Sequence, residues 1–479
     1  MPLSNAVNTT PSGVTMIDGL LAGSQWSDGT PATTSVSVYI AGQSGPEYMS
    51  YSDTTARTDP EEAAAFRLAF AQIEAVCNID FVEVANQNQA NITLGACNNA
   101  DSGGSLGWSY YPAFPDDSAV VINYTAYATN DYSSLELGGY DFVTYIHELG
   151  HAVGLKHPHT REGASFPKFP GVKAAYDDYG DFDLNQGVYT MMSYNDGYAT
   201  GPLGALDPDV TPTYGWGATP MALDIAALQY LYGANTSYHT GNNTYVLPSA
   251  NVAGTSYSCL WDAGGTDTIK AGSNANAVID LREAKITVSN GGGGFISSQN
   301  GIHGGFTIAQ GAVIENAAGL DGNDTLIGNG VDNRLTGGRG NDDMRGLSGN
   351  DRLLGDAGRD TLQGDGGADL LKGGNGSDKF VFTDILDSTV SESDRIADFR
   401  HGHDVIRLDA IDAIAGGLDD AFDFIGDSAF SHVAGELRAA LNGAGTFTIV
   451  SGDVDGDGGA DFRIKLTGNI AFDIGDFIL

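Results

Sequence analysis

The chain has 479 residues, enough for two or three domains and a sizeable core. Its 61 Asp and Glu against 22 Lys and Arg leave a formal charge of -39, which excludes nucleic acid and anionic membrane surfaces as partners. So much acid serves either a solubilising surface or the gathering of carboxylates around calcium, and 67 glycines require a local structural reason.

No stretch reaches the length of a transmembrane helix. The start, Met1-Pro2-Leu3-Ser4-Asn5-Ala6-Val7-Asn8, has neither a basic region nor an apolar run, so no N-terminal signal peptide is expected. Three cysteines are too few for a disulfide scaffold. Cys77 and Cys97 either pair, if a helix end and a strand end approach each other, or stay as buried free thiols, and Cys259 has no partner.

Up to about Trp26 the residues are small and polar, apart from the apolar patch Ile17-Asp18-Gly19-Leu20-Leu21. Residues 35–40 alternate, with Val36, Val38 and Ile40 on one face of a half-buried strand. Asp59-Pro60-Glu61-Glu62 reads as a helix start, with a capping Asp, Pro in the first turn and acids at the positive end of the dipole. Phe66, Phe70 and Ile73 then recur at helical spacing and face the core. Strands are expected at residues 81–84, 92–94, 105–111 and 120–123.

The stretch from Tyr145 to Pro158 contains H-E-x-x-H, extended to H-E-x-x-H-x-x-G-x-x-H. On a helix predicted over residues 141–153, His147 and His151 lie one turn apart and reach one metal ion together. Val143, Ile146, Leu149 and Val153 supply the apolar face. Glu148 is placed to address a water on that metal, as a general base, rather than the metal itself. Gly154 permits a sharp turn at positive φ that carries His157 back as a third ligand, and Pro158 stops the helix. Three neutral imidazoles with one open position describe a single catalytic zinc, since a structural site is closed by four protein ligands.

An irregular stretch follows, then Tyr189-Thr190-Met191-Met192-Ser193-Tyr194 and a Gly/Pro-rich loop. A helix is expected over residues 220–232, with Thr219 as cap, Pro220 first, Gly233 as stop and Ile225, Leu228 and Tyr232 buried. Beyond Ala234 the composition shifts to Gly, Asn, Asp and Thr, which marks a domain boundary.

From Gly319 the chain repeats every nine residues, with units starting at Gly319, Gly328, Gly337, Gly346, Gly355, Gly364 and Gly373. The fourth position is Gly322, Val331, Gly340, Gly349, Gly358, Gly367 and Gly376. The sixth is Asp324, Asn333, Asp342, Asp351, Asp360, Asp369 and Asp378, and the eighth is Leu326, Leu335, Met344, Leu353, Leu362, Leu371 and Phe380. This is the calcium-binding nonapeptide pattern: glycines for positive φ, aspartates and carbonyls as hard oxygen ligands, one inward apolar residue per unit. The unit with Val331 and Asn333 is degenerate and is expected to bind weakly. Segments 379–382, 395–399 and 404–408 are expected to cover the open end of the stack. Asp453-Val454-Asp455-Gly456-Asp457 is not an EF-hand, because its twelfth position is Ile464, and is expected to make a turn.

With both signatures in this order, the sequence resembles the serralysin family of secreted bacterial zinc endopeptidases, a branch of the metzincins. The likeness extends to Ile17-Asp18-Gly19-Leu20-Leu21, Leu223-Asp224-Ile225-Ala226-Ala227-Leu228-Gln229, Leu231-Tyr232-Gly233-Ala234-Asn235 and Trp261-Asp262-Ala263-Gly264-Gly265. It implies an α+β metzincin catalytic domain, a twisted mixed sheet plus zinc helix, followed by an all-β parallel β-roll and sandwich domain. It also implies zinc on His147, His151 and His157, Glu148 as base and proton shuttle, and Met192 as an apolar floor. Tyr194 would bind zinc at rest and stabilise the oxyanion. His239, Gly241, Asn243, Asp262, Gly264 and Asp267 match a further calcium site at the domain junction.

The implied layout is an N-terminal segment over residues 1–20 containing a short propeptide, a catalytic domain over 21–240 and a calcium-binding domain over 241–479. Implied partners are protein and peptide substrates, a proteinaceous inhibitor and an ABC-type secretion machinery reading the C-terminus, with neither nucleic acid nor membrane, for a monomer outside the cell. The ending Asp476-Phe477-Ile478-Leu479 has the acid followed by apolar residues that such uncleaved signals show. The loop from Gly201 to Gly217, with Pro202, Pro208 and Pro212, is longer than the family's, and His159 is expected to be an exposed loop residue. The rival reading is a calcium-loaded surface or adhesion protein with a vestigial zinc site.

Overall fold

The computed structural model describes residues 3–30, 32–49, 54–98, 104–112, 118–414, 416 and 420–479. The N-terminal part is built on a five-stranded mixed sheet in the order Ile79–Glu83, Thr34–Ile40, Ile92–Cys97, Ser118–Asn123, Gly107–Ser109. The first four strands run parallel and Gly107–Ser109 closes the edge antiparallel. Both faces of the central strands are covered, so Ile92–Cys97 and Ser118–Asn123 are buried at every residue.

Among the described residues, four α-helices complete this part: α1 at Thr15–Asp18, α2 at Pro60–Val76, α3 at Tyr140–Ala152 and α4 at Ala222–Tyr232. Asp59 caps α2 as its sequence requires, and Phe66, Phe70 and Ile73 are buried. α2 packs on α3 through Phe66 and Tyr145, whose ring centroids are 4.7 Å apart. The apolar face of α3 is wider than its periodicity suggests: Phe142 and Tyr145 are fully buried while Val143 is only half-buried. The helix is sandwiched, with α2 on one flank and the sheet on the other, so polarity alone underestimates its buried arc.

α4 starts two residues later than expected. Its cap is Met221, not Thr219, because the Asp224 carboxylate accepts the Met221 N–H at 2.9 Å. The Thr219 hydroxyl is drawn elsewhere, accepting the Cys259 N–H at 2.9 Å. Gly233 ends the helix at φ 79°. All three cysteines are buried and none is in a disulfide, so Cys77 and Cys97 are not bonded to each other.

The N-terminal stretch is woven into this core. Asn5–Asn8 pairs antiparallel with Ser24–Ser27, Met16 and Leu20 are buried, and Leu21 bridges Leu155 just past α3.

From residue 316 onward successive nonapeptides alternate between two parallel sheets, so partners are eighteen residues apart. Asn316–Leu320, Arg334–Arg339, Arg352–Ala357 and Leu370–Lys372 stack in one sheet. Thr325–Ile327, Asp343–Ser348, Thr361–Gly366 and Lys379–Val381 stack in the other. Leu326, Leu335, Met344, Leu353, Leu362, Leu371 and Phe380 all point between the sheets and are completely buried. Arg395–Ile396 and Val405–Arg407 continue the two sheets past the last repeat. An antiparallel set, Glu436–Leu441, Phe447–Asp453 and Phe462–Thr467, closes one of them. Phe477–Ile478 adds a parallel strand beside Val405–Arg407. Asp453 does make turn contacts, accepting the Gly456 and Gly458 N–H groups.

The two parts meet at a small sheet in which Trp216–Gly217 pairs with Ser256–Leu260, and that strand pairs with Gly305–Ile308.

Candidate active site and metal sites

α3 carries the histidine motif, and its C-terminal end is anchored by long-range partners. The free carbonyls of Ala152 and Val153 accept hydrogen bonds from Trp26 Nε1 at 2.8 Å and the Tyr232 hydroxyl at 2.7 Å. Gly154 takes φ 105°, and a Cβ there would press on the Ser24 carbonyl, so glycine is needed both for the turn and for the close approach. The turn brings His157 back to His147 and His151.

The three Nε2 atoms face one another, His157 lying 3.0 Å from His147 and 2.9 Å from His151. His147 donates its Nδ1–H to the Met191 carbonyl and His151 to the Leu155 carbonyl, both at 2.8 Å. Those bonds fix the tautomers of His147 and His151 that leave Nε2 as a lone pair, and both lone pairs face His157 Nε2. Burial pushes His147 down to about 4 and His151 to about 3, while burial and the two neighbouring imidazoles hold His157 far below its usual value. Neutral nitrogens converging in this way suit zinc.

Glu148 lies beside them, buried, with Oε2 free of any hydrogen-bond partner, and burial raises its pKa to about 8. The edge strand passes so close that a Cβ at Gly107 would touch Glu148 Cγ, a constraint that sequence reading missed because the two residues are distant in the chain. Tyr111 stands on the other side, its ring 5.5 Å from His151.

The turn at Thr190–Met192 forms the floor. A Cβ at Gly150 would meet Met192 Sδ, so the helix rests directly on this methionine. Asp224 holds the turn: its carboxylate accepts from the Thr190 hydroxyl and the Met191 N–H, each at 2.6 Å. Asp224 was legible only as part of a family-like string; its role needs the contact between α4 and the turn.

Tyr194 follows this turn, its ring centroid 4.5 Å from that of His157 and 5.7 Å from that of His147. Burial, then the Glu148 charge, pushes its hydroxyl up to about 12, so it stays a donor. His159 is not an exposed loop residue: it is half-buried and stacks on His157 at 4.8 Å and 14°. Lys156 is fully buried, donating to the carbonyls of Gly19, Thr160 and Pro167 at 2.5, 3.0 and 2.8 Å, which locks the third histidine's loop to the N-terminal segment.

In the roll, the sixth-position carboxylates from Asp342 to Asp378 accept, through Oδ1, the N–H of the residue eighteen positions earlier, while Asp324 Oδ1 accepts the Ala277 N–H at 2.6 Å. The pairs Asp324–Asp342, Asp342–Asp360, Asp351–Asp369 and Asp360–Asp378 are so joined at 2.7–3.1 Å. Oδ2 of Asp324, Asp342, Asp351, Asp360, Asp369 and Asp378 is buried without a partner and lies against the glycine that opens its unit. Gly340, Gly349, Gly358, Gly367 and Gly376 take φ between 122° and 157°, where a Cβ would collide with the carbonyl at the same position two units back. Gly322, at the same unit position, has no positive φ and lies against Asp324 Oδ1. Orphaned carboxylate oxygens and stacked carbonyls are the donor set that calcium takes.

The degenerate unit differs. Asn333 Nδ2 donates to the Glu315 carbonyl and to Asn329 Oδ1, and Val331 is exposed. At the junction, Asp267 Oδ1 accepts the Asn243 N–H at 2.6 Å, while Asp267 Oδ2 and Asn243 Oδ1 are buried without partners. Asp262 accepts from the Gly264 N–H and the Tyr245 hydroxyl, Gly241 packs its carbonyl against Gly265, and Glu315 joins through the Asp267 N–H. The His239 ring is engaged with Tyr245 and stacked on Tyr238. Tyr245 and Glu315 were not read from the sequence.

A mixed sheet backing a helix with three converging imidazoles, above a methionine turn, defines the metzincin class of zinc metallopeptidase, here joined to a parallel β-roll. The matrixin family matches residues 47–179, and the serralysin C-terminal family of peptidase M10 matches residues 225–479. Serralysin of Proteus mirabilis is 36% identical over 438 residues, 84% of this chain and 79% of that protein. Metalloprotease AprA of Pseudomonas entomophila is 34% identical over 422 residues, covering 85% and 77% of the two chains. Serralysin of Photorhabdus laumondii is 31% identical over 310 residues, which is 61% of this chain and only 58% of that protein's length. The chain belongs to the serralysin family. Among solved structures, myroilysin is matched at 16% identity and a TM-score of 0.24, over 43% of this chain and 96% of that one.

Proposed function

We propose that this chain is an endopeptidase that acts outside the cell, with zinc on His147, His151 and His157 and calcium in the roll. The observation that carries the reading is the convergence of three histidine Nε2 atoms beside the buried Glu148, whose Oε2 has no hydrogen-bond partner. Zinc bound there supplies Lewis acidity toward the scissile carbonyl and the attacking water.

The chain's own residues do the rest. Glu148 accepts the proton of the attacking water and delivers it to the departing amine; a carboxyl raised by burial suits both directions. The Tyr194 hydroxyl donates a hydrogen bond to the developing oxyanion. Met191 and Leu155 hold the imidazole rings by their Nδ1 protons, so no reorientation is needed as charge develops. Met192 excludes water from below.

Calcium on Asp324, Asp342, Asp351, Asp360, Asp369 and Asp378, with carbonyls including those of Gly322, Gly340 and Gly349, would neutralise oxygens that otherwise lie buried and unpaired. We take residues 21–240 as the catalytic unit and 241–479 as the calcium-binding unit. Cytosolic calcium is too scarce for weak sites of this kind, which supports export before the roll folds, through machinery that reads the C-terminus.

Incubating the full chain with casein tests the reading. Cleavage abolished by 1,10-phenanthroline and restored by zinc supports an endopeptidase. Calcium binding without any cleavage would favour the adhesion-protein alternative.

A further inference from the structure

Beside Tyr194 lies a cavity of about 410 Å³ whose walls come from three segments distant in sequence. Tyr140 opens the zinc helix and meets Trp216 edge-on at 4.8 Å. Tyr176 lies against Tyr194 with ring centroids 5.2 Å apart. Leu206 comes from the proline-containing 201–217 loop, whose extra length leaves cleft shape open to sequence reading.

The walls are held in place. The Tyr140 N–H donates to the Pro212 carbonyl at 2.8 Å, and Trp216 Nε1 to the Thr211 carbonyl at 2.8 Å, which dock the loop on the start of α3. Asn195 is buried and ties the opposite wall: its side chain accepts the Asp177 N–H at 2.8 Å and donates to the carbonyls of Asp178 and Asn185. The Gly187 N–H to the Asn195 carbonyl at 2.7 Å and the Val188 N–H to the Gly197 carbonyl at 3.0 Å bracket Asp196 on both sides.

Asp196 lines the cavity and is half-buried. Among the described residues, no hydrogen bond or ion pair engages its carboxylate. A half-buried carboxylate with no protein partner keeps only part of its hydration, and a ligand that supplies the countercharge offsets the rest. Surrounding aromatic faces add attraction for the same charge, because their electron-rich faces bind cations. An aliphatic occupant would fill the space and leave Asp196 desolvated and unpaired; an acidic one would be repelled.

We propose that this cavity is a specificity subsite that takes an arginine or lysine side chain of the substrate, adjacent to the scissile bond, with Asp196 as its countercharge. The proposal rests on the endopeptidase reading above. It makes Asp196 a residue that selects substrate through its charge, and the long 201–217 loop the element that gives the subsite its outer wall.

Cleavage-site profiling of a peptide library by the full chain, with zinc and calcium present, provides the test. Arginine and lysine should be enriched at one fixed position next to the cut. For a matched peptide pair carrying arginine or its neutral isostere citrulline there, kcat/KM should fall about tenfold or more on loss of the charge. In D196N the arginine-to-citrulline ratio should collapse toward one. Equal rates for the two peptides in the wild-type chain would overturn the subsite while leaving the endopeptidase reading intact. No cleavage of any library member would overturn both. The citrulline comparison needs no variant, so a D196N chain that failed to fold would not decide the matter.

Discussion

The Asp224 carboxylate and the Met191 backbone are joined in a relay that ends at His147: Asp224 Oδ2 accepts the Met191 N–H at 2.6 Å, and the Met191 carbonyl accepts His147 Nδ1–H at 2.8 Å. A residue on α4 therefore orients the proposed zinc ligand His147 on α3. Asp224→Ala leaves the buried N–H groups of Met191 and Met221 unpaired, at about 1–3 kcal/mol each. Zinc affinity, read by competition with a chromophoric chelator, should weaken by roughly 10- to 100-fold. An unchanged affinity would show that the turn does not control His147.

Glu148→Gln keeps the size of the side chain and removes its ability to accept a proton. Zinc content measured by atomic emission should stay stoichiometric, while kcat on a peptide substrate drops by about 10²- to 10⁴-fold. Wild-type turnover in this variant would remove Glu148 from the mechanism.

Tyr194→Phe removes only a hydroxyl from a ring that packs on His157. Loss of a donor to the oxyanion predicts a fall of about 10²- to 10³-fold in kcat with KM little altered. A rise in KM at constant kcat would instead make Tyr194 a substrate-binding residue.

Burial, partly offset by backbone hydrogen bonds, raises Asp324, Asp342 and Asp369 to about 6 and Asp351 and Asp360 to about 7. Their folded values lie above the ordinary value near 4, so the calcium-free fold holds more protons than the unfolded chain. The stability they contribute is fully present below about pH 4 and is lost as pH rises through 6 to 7. In a calcium-selective chelator the roll's melting temperature should fall between pH 5 and 7.5. With saturating calcium the order should invert, because the ion requires the ionised form. Calorimetry of the full chain at both pH values reads this directly, and the same pH trend with and without calcium would refute it.

Asn333 fills its rung with an amide, donating to the Glu315 carbonyl at 3.1 Å and Asn329 Oδ1 at 3.0 Å where its neighbours leave a carboxylate oxygen unpaired. Asn333→Asp should add one calcium in a titration and make the chain less stable without calcium by about 1–3 kcal/mol. An unaltered calcium count would mean that the carbonyls of this rung are wrongly placed for an ion.

Features carried by local spacing were legible in the sequence alone. The i, i+4 histidines, the glycine turn that returns His157, and the nine-residue period with its inward leucines each follow from one backbone geometry repeated or turned once, so neighbouring residues suffice to specify them. The strand at Thr34–Ile40 and the cap of α2 were legible for the same reason.

What only the tertiary structure decided depends on groups far apart in the chain. Asp224 claiming the Met221 N–H moved the start of α4, α2 and the sheet together widened the buried arc of α3, and His159 was drawn onto His157. The absence of a disulfide between Cys77 and Cys97, the cage of carbonyls around Lys156 and the docking of Tyr140 against Pro212 are likewise settled by packing. A hydrogen bond or a ring contact is satisfied by whichever partner the fold delivers, and residue order within one segment carries no record of that partner. The zinc motif is thus a local property of this sequence, whereas the orientation of its ligands and the shape of the neighbouring cavity belong to the assembled fold.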